Sequence, residues 1–270
     1  MSMSPSPFRY AGGKSWLAPR VAGWCRDIGA RTIIEPFAGG ASTAIHCILS
    51  GAVEHAVLAE ADPGMLSLWR VLVEGSGAEY GSMLYTIMHL EPSRASVAAF
   101  LDGSDGGRHM DAARTLVRNR TAYGGGLKAG MLGESDLQKR WNPFGWGQRM
   151  KAIRQRQDAF TVHGPDGLAC IAAHAGDRHA LLFLDPPYSA APDAAGHGLY
   201  RHASLDHQAM LRAACSARGA LAITYDDSPT TREMAVQHGL YCEPLPMIDG
   251  RGRRRNELLI ARDAQYCSNC

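Results

Sequence analysis

The 270-residue sequence has no run of eighteen or more apolar residues, so no helix is expected to cross a membrane. Residues 1–9 lack the apolar stretch of a secretory signal, and a cytoplasmic chain is expected. Paired cysteines are scarce: of seven, only Cys267 and Cys270 approach each other, with no second pair and no neighbouring histidine. The thiols are therefore expected to be reduced and structural, and no metal site is expected. The dinucleotide fingerprint G-x-G-x-x-G is missing. RYAGGKS (9–15) would be a phosphate loop only with glycine in place of Phe8, so kinase and ATPase chemistry lose their main support. No internal repeat or long low-complexity tract occurs.

What is present suffices for one full α/β domain with a lobe to spare, since 46% of the side chains are hydrophobic. Six short apolar runs end at turn or carboxylate residues: 31–40, 55–63, 159–167, 179–188, 220–228 and 256–263. Buried parallel strands feeding functional loops look like this. Helical patterns at 41–49, 65–73, 168–175, 206–217 and 230–238 alternate with them. The alternation is interrupted from about 75 to 158, where strand-like runs are lacking. We read 1–74 and 159–270 as the catalytic α/β domain and 75–158 as an inserted, mostly helical lobe. Charge follows the same division. Residues 108–156 hold eleven Lys or Arg against three acidic residues, a net +8, within a chain whose total is +2. Such a lobe suits a polyanion, because Lys and Arg that neutralise phosphates supply most non-specific nucleic-acid affinity.

In an open parallel sheet, ligands bind beyond the carboxyl ends of the strands, and the unusual residues fall there. EPFAGGAS (35–42) is a glycine-rich strand-to-helix turn in which Gly39 and Gly40 let the backbone approach a ligand. Alone it suits a nucleotide, nicotinamide or S-adenosylmethionine. Glu60, about twenty residues on at the end of the next strand, suits the two hydroxyls of a ribose. Asp62 competes for that role, but it precedes Pro63 and reads better as a helix cap. DPPY (185–188) follows the most apolar strand. Two prolines without N–H donors leave the Asp185 carboxylate and the Pro186 carbonyl as acceptors, and Tyr188 can stack on a base. Acceptors beside a stacking ring form a receptor for an aromatic amine.

In this order, AGGK, EPFxG, an acidic second-strand end, Asn119-Arg120 with Tyr123 and Gly124, DPPY and a final ELLI resemble the DNA adenine methyltransferase (Dam) family of bacteria and phages. The resemblance spans nearly the whole chain. It implies a Rossmann-like α/β methyltransferase fold with a mostly parallel sheet and an inserted, mostly helical DNA-recognition lobe. It implies S-adenosylmethionine as cofactor, double-stranded DNA as partner, and methyl transfer to N6 of a flipped-out adenine. By likeness, Tyr10, Lys14, Glu35, Phe37, Gly39, Glu60, Asp166 and Asp185 line the cofactor pocket. Asp185, Pro186 and Tyr188 hold the target base, and Arg118, Arg120, Tyr123, Lys128 and Arg140 contact DNA. No membrane and no obligatory protein partner are expected. The chain departs from the family in carrying Ala41 where the glycine turn usually has its second glycine. The rival readings are an N4-cytosine methyltransferase, a protein-glutamine methyltransferase and a catalytically silent DNA- or cofactor-binding relative. Cytosine C5 chemistry is disfavoured, since no Pro-Cys dipeptide occurs.

Overall fold

The fold is that of a computed structural model, which describes residues 5–9, 13–187, 205–248 and 254–267. Its strands are β1 (Thr32–Glu35), β2 (His55–Ala59), β3 (Phe160–Gly164), β4 (Ala180–Leu184), β5 (Ala220–Asp226), β6 (Tyr241–Ile248) and β7 (Arg254–Ala261). They form one sheet in the order β3-β2-β1-β4-β5-β7-β6. The pairs from β3 through β5 are parallel, and β7 is antiparallel to both β5 and β6. This is a Rossmann-like α/β architecture, a mostly parallel sheet with an antiparallel pair at one edge. Strand β4 shows why parallel strands read as unbroken apolar runs: all five of its residues are buried, because helices cover both faces.

The helices are α1 (Ala18–Asp27), α2 (Ser42–Leu49), α3 (Pro63–Val73), α4 (Gly77–His89), α5 (Arg94–Asp102), α6 (Gly107–Thr121), α7 (Glu134–Arg140), α8 (Pro143–Arg154), α9 (Gly167–His174), α10 (His207–Ser216) and α11 (Pro229–Gln237). One face of the sheet packs against buried residues of α9, α10 and α11, among them Cys170, Ile171, Met210 and Leu211. On the other face a single apolar cluster runs from Ile33 and Leu58 through Leu68 and Trp69 of α3 into Leu116, Trp146 and Met150 of the helical segment. Helices α4 to α8 are thus rooted in the same core as the sheet. No strand occurs between β2 and β3 among the described residues, apart from a lone bridge between Ala122 and Met131. No described helix is long and apolar enough to cross a membrane.

Three features depart from the sequence reading. Strand β6 went unread because Pro244 and Pro246 interrupt its pattern; as the outer strand of the sheet, it tolerates residues without N–H donors. Helix α1 precedes the first strand and starts with Pro19 in its first turn, a position where the missing donor costs nothing. Cys242 is disulfide-bonded, whereas Cys25, Cys47, Cys170, Cys215 and Cys267 are free. Proximity created by folding, invisible in the spacing, overturns the expectation of uniformly reduced thiols.

Candidate active site

The strand order reverses between β1 and β4, so a crevice opens there at the carboxyl ends. Glu35 ends β1 and Asp185 follows β4 directly. The intervening chemistry is set by one buried lysine. Lys14, 3% exposed, places Nζ 2.8 Å from Asp185 Oδ1 and 3.3 Å from Glu257 Oε1. Burial works against its charge, but the two carboxylates outweigh that and hold its pKa above the ordinary lysine value. Thr224 of β5 donates its hydroxyl to the same Asp185 Oδ1 at 2.8 Å. Two donors on one oxygen fix the carboxylate plane, and among the described residues Oδ2 has no donor. Asp185 remains 29% exposed, so that oxygen is accessible as an acceptor.

Glu35 sits beside this group and behaves differently. Its Oε1 accepts the Ala44 N–H at 2.6 Å inside the first turn of α2. Burial, with the Asp185 charge adding to it, pushes its carboxyl up to about 8 despite that hydrogen bond. At neutral pH Glu35 is therefore mainly protonated, which spares the crevice a further negative charge.

The next strand supplies a second acceptor. Glu60 Oε2 accepts the Gly39 N–H at 2.8 Å and Oε1 accepts the Asp62 N–H at 2.7 Å. The Trp69 indole N–H donates to the Gly39 carbonyl at 3.0 Å, so the glycine turn is held from both sides of one residue. Burial raises Glu60 to about 7, against the pull of the backbone donors. Asp62 is the N-cap of α3 and accepts from Gly64 and Met65, as its place before Pro63 suggests. Ala41 occupies the left-handed region (φ 45°, ψ 34°) and is the only non-glycine residue with positive φ among those described. A side chain there costs about 1–2 kcal/mol, the strain a glycine would avoid.

Asp166 caps α9 through Oδ1, accepting the Ala169 N–H at 3.0 Å. The neighbouring Gly167 lies so close to the β1 loop that a Cβ there would come within 2.6 Å of the Pro36 carbonyl and 2.8 Å of the Phe37 ring. Asp166, Pro36 and Phe37 thus share one rim. Pro186 is buried after Asp185. Tyr10 and Tyr188 lie outside the described residues.

The basic segment divides into inward and outward charges. Arg108 pairs with Glu79, and Arg154 donates to the carbonyls of Val71, Leu72 and Gly75. Arg120 donates to the Pro7 carbonyl at 2.7 Å and lies over the Trp146 ring. Arg118 reaches the Leu101 carbonyl, and it lines, with Lys128, a cavity of about 420 Å³. Arg140, Lys128 and the ring of Tyr123 face solvent, with Tyr123 55% exposed. Two groups that the sequence reading left without a role, Thr224 and Glu257, belong to the Asp185 cluster. Only the apolar strand patterns around them hinted at their place.

No family model matches this chain, and no curated protein matches it. Solved structures with a similar architecture include the PH1948 protein of Pyrococcus horikoshii, proposed to be an RNA methyltransferase, at 10% identity and a TM-score of 0.43, over 94% of this chain and 84% of that one. The cofactor-bound protein Rv0187 from MTB matches at 14% identity and a TM-score of 0.43, over 92% of this chain and 80% of that one. Both likenesses are too distant to bear on reaction or substrate.

Proposed function

We propose that the chain is an S-adenosylmethionine-dependent DNA methyltransferase that acts on N6 of an adenine flipped out of a duplex. The observation that carries this reading is Asp185, oriented by Lys14 and Thr224 at the switch point of the sheet, with its second oxygen meeting no donor among the described residues. The donor set suits the cofactor. Glu60 offers carboxylate oxygens to a ribose diol, the Gly39 turn allows close approach, and Ala41 gives the first turn of α2 no side-chain cap. The bound cofactor supplies an electrophilic sulfonium methyl.

The residues of the chain orient the amine. Adenine N6 is a poor nucleophile because its lone pair is delocalised into the ring. Hydrogen bonds from N6–H to Asp185 Oδ2 and to the Pro186 carbonyl pull the nitrogen toward tetrahedral geometry and stabilise the positive charge that develops on it. Lys14 and Thr224 hold Asp185 in place for this and do not touch the base. Flipping costs a few kcal/mol of unstacking, which stacking against an aromatic ring such as Tyr188 offsets in part. The positive helical segment, with Arg140, Lys128 and Tyr123 outward, would hold the duplex.

Tritiated-methyl transfer to duplex DNA, followed by nucleoside analysis, tests the reading. N6-methyladenine is expected with wild type and almost none with Asp185→Ala. Asp185→Asn should retain more than Ala, because its amide oxygen still accepts one hydrogen bond. N4-methylcytosine would change the base, label only in RNA would change the polymer, and an active Asp185→Ala would overturn the mechanism.

A further inference from the structure

Away from the crevice, at the β3 edge of the sheet, three metal-ligating side chains converge. His163 lies on β3, and Cys170 and His174 lie on α9, one turn apart on one helix face. Their ligand atoms all lie within 4.8 Å of one another. The His163 and His174 rings meet edge to face with centroids 5.7 Å apart. The spacing H-x6-C-x3-H matches no zinc-finger pattern, and the set assembles only because α9 folds back along the strand that precedes it.

We propose that His163, Cys170 and His174 form a binding site for a zinc-like divalent transition-metal ion, separate from the methyl-transfer crevice. One thiolate and two imidazoles suit zinc and its neighbours and do not suit magnesium or calcium. The site has its outer support already in place. Nδ1 of His174 lies 2.9 Å from the Cys170 carbonyl, which can only accept, so Nδ1 carries the proton and Nε2 keeps its lone pair for a metal. A tetrahedral ion with bonds of about 2.0–2.3 Å holds its ligand atoms about 3.3–3.7 Å apart. Closing the cluster therefore takes a shift of about 1 Å. His163 is exposed and free to make it, whereas Cys170 is fully buried and fixes the inner corner. Binding replaces the Cys170 S–H bond by a sulfur–metal bond and releases the proton to solvent. His55, on the same face, already bonds Thr161 Oγ1 at 2.9 Å and leaves the fourth position to water. The ion would clamp α9 to β3 on either side of the Gly164–Asp166 turn that rims the crevice.

Cobalt(II) titration of the full chain tests this, because a tetrahedral thiolate site gives intense visible bands and a sulfur-to-cobalt charge-transfer band. One cobalt per chain is expected, displaced by zinc, with a rise in melting temperature on metal addition. Cys170→Ser should abolish the charge-transfer band. His163→Gln and His174→Gln, at positions that are not in the deep core, should fold normally by circular dichroism and weaken cobalt at least about tenfold each. Absence of the charge-transfer band in wild type would overturn the proposal. So would cobalt affinity unchanged in both histidine variants, which decide the matter even where Cys170→Ser fails to fold.

Discussion

The side-chain amide of Asn119 pairs with the backbone of Arg9 as a neighbouring strand would. It accepts the Arg9 N–H at 2.8 Å and donates to the Arg9 carbonyl at 2.8 Å, across 110 residues. The same Nδ2 donates to the Gly125 carbonyl at 2.6 Å. Gly125 approaches so closely that a Cβ there would lie 2.0 Å from the Arg9 carbonyl. One fully buried amide therefore ties the Tyr123 loop to the segment that leads into Lys14. Asn119→Ala leaves the buried Gly125 carbonyl without this donor, at a cost of about 1–3 kcal/mol, and frees the part-buried Arg9 backbone, so it should lower the denaturant midpoint and methyl transfer together. Loss of transfer without loss of stability would show that Asn119 acts on substrate instead.

Lys14 and Asp185 should respond unequally to removal, though they touch. Lys14→Met removes the ammonium between the carboxylates of the buried Glu257 and the partly exposed Asp185, and removing one partner of a buried pair costs about 3–5 kcal/mol. Asp185→Ala leaves Lys14 still paired with Glu257 at 3.3 Å, so the fold should survive and chiefly activity should be lost. Urea unfolding of both variants checks the order; an Asp185→Ala variant less stable than Lys14→Met would refute it.

Glu60 should make cofactor affinity depend on pH near neutrality. Its carboxyl is raised to about 7 by burial, so protonation as the pH falls below that point removes an acceptor for the ribose hydroxyls. Affinity measured by calorimetry should decline from pH 8 to pH 6, and Glu60→Gln should flatten the profile. Glu60→Ala forfeits hydrogen bonds of about 1.5–3 kcal/mol to a charged group, a roughly ten- to hundredfold loss. Folding carries the opposite sign. The raised Glu35 and Glu60 carboxyls stabilise the chain while protonated, so stability without cofactor should fall as pH rises from about 4.5 through 7 to 8.

The parts that sequence pattern could reach are those with a local cause. The run ALLFL is buried on both faces and announces β4, and Asp62 before Pro63 announces its cap. The turn at Ala41 was visible as a departure from glycine, but its left-handed backbone was not. Thr224 and Glu257 stay hidden because their partners are 39 and 243 residues away, respectively, and meet only when β4, β5 and β7 align. The basic segment was legible as a charge total and illegible as a surface, since guanidinium groups also serve as internal donors to backbone carbonyls.

Arg120 and Arg140 separate these two uses of positive charge. The Arg120 guanidinium is partly buried, held by the Pro7 carbonyl at 2.7 Å and the Trp146 ring, and burial together with the Arg149 and Arg9 charges lowers its pKa to about 10. Arg120→Gln should therefore cost about 1–3 kcal/mol of stability, and any loss of DNA affinity should follow from the disturbed Pro7–Arg9 segment. Arg140 is exposed at the end of α7, so Arg140→Gln should leave the melting temperature unchanged. If Arg140 neutralises one phosphate, its removal should reduce the slope of log affinity against log salt by about 0.9 for every DNA sequence tested. Fluorescence anisotropy on a duplex at several salt concentrations reads this directly. A slope unchanged in Arg140→Gln but reduced in a stably folded Arg120→Gln would invert the assignment and place the duplex against the Pro7–Trp146 side of the segment.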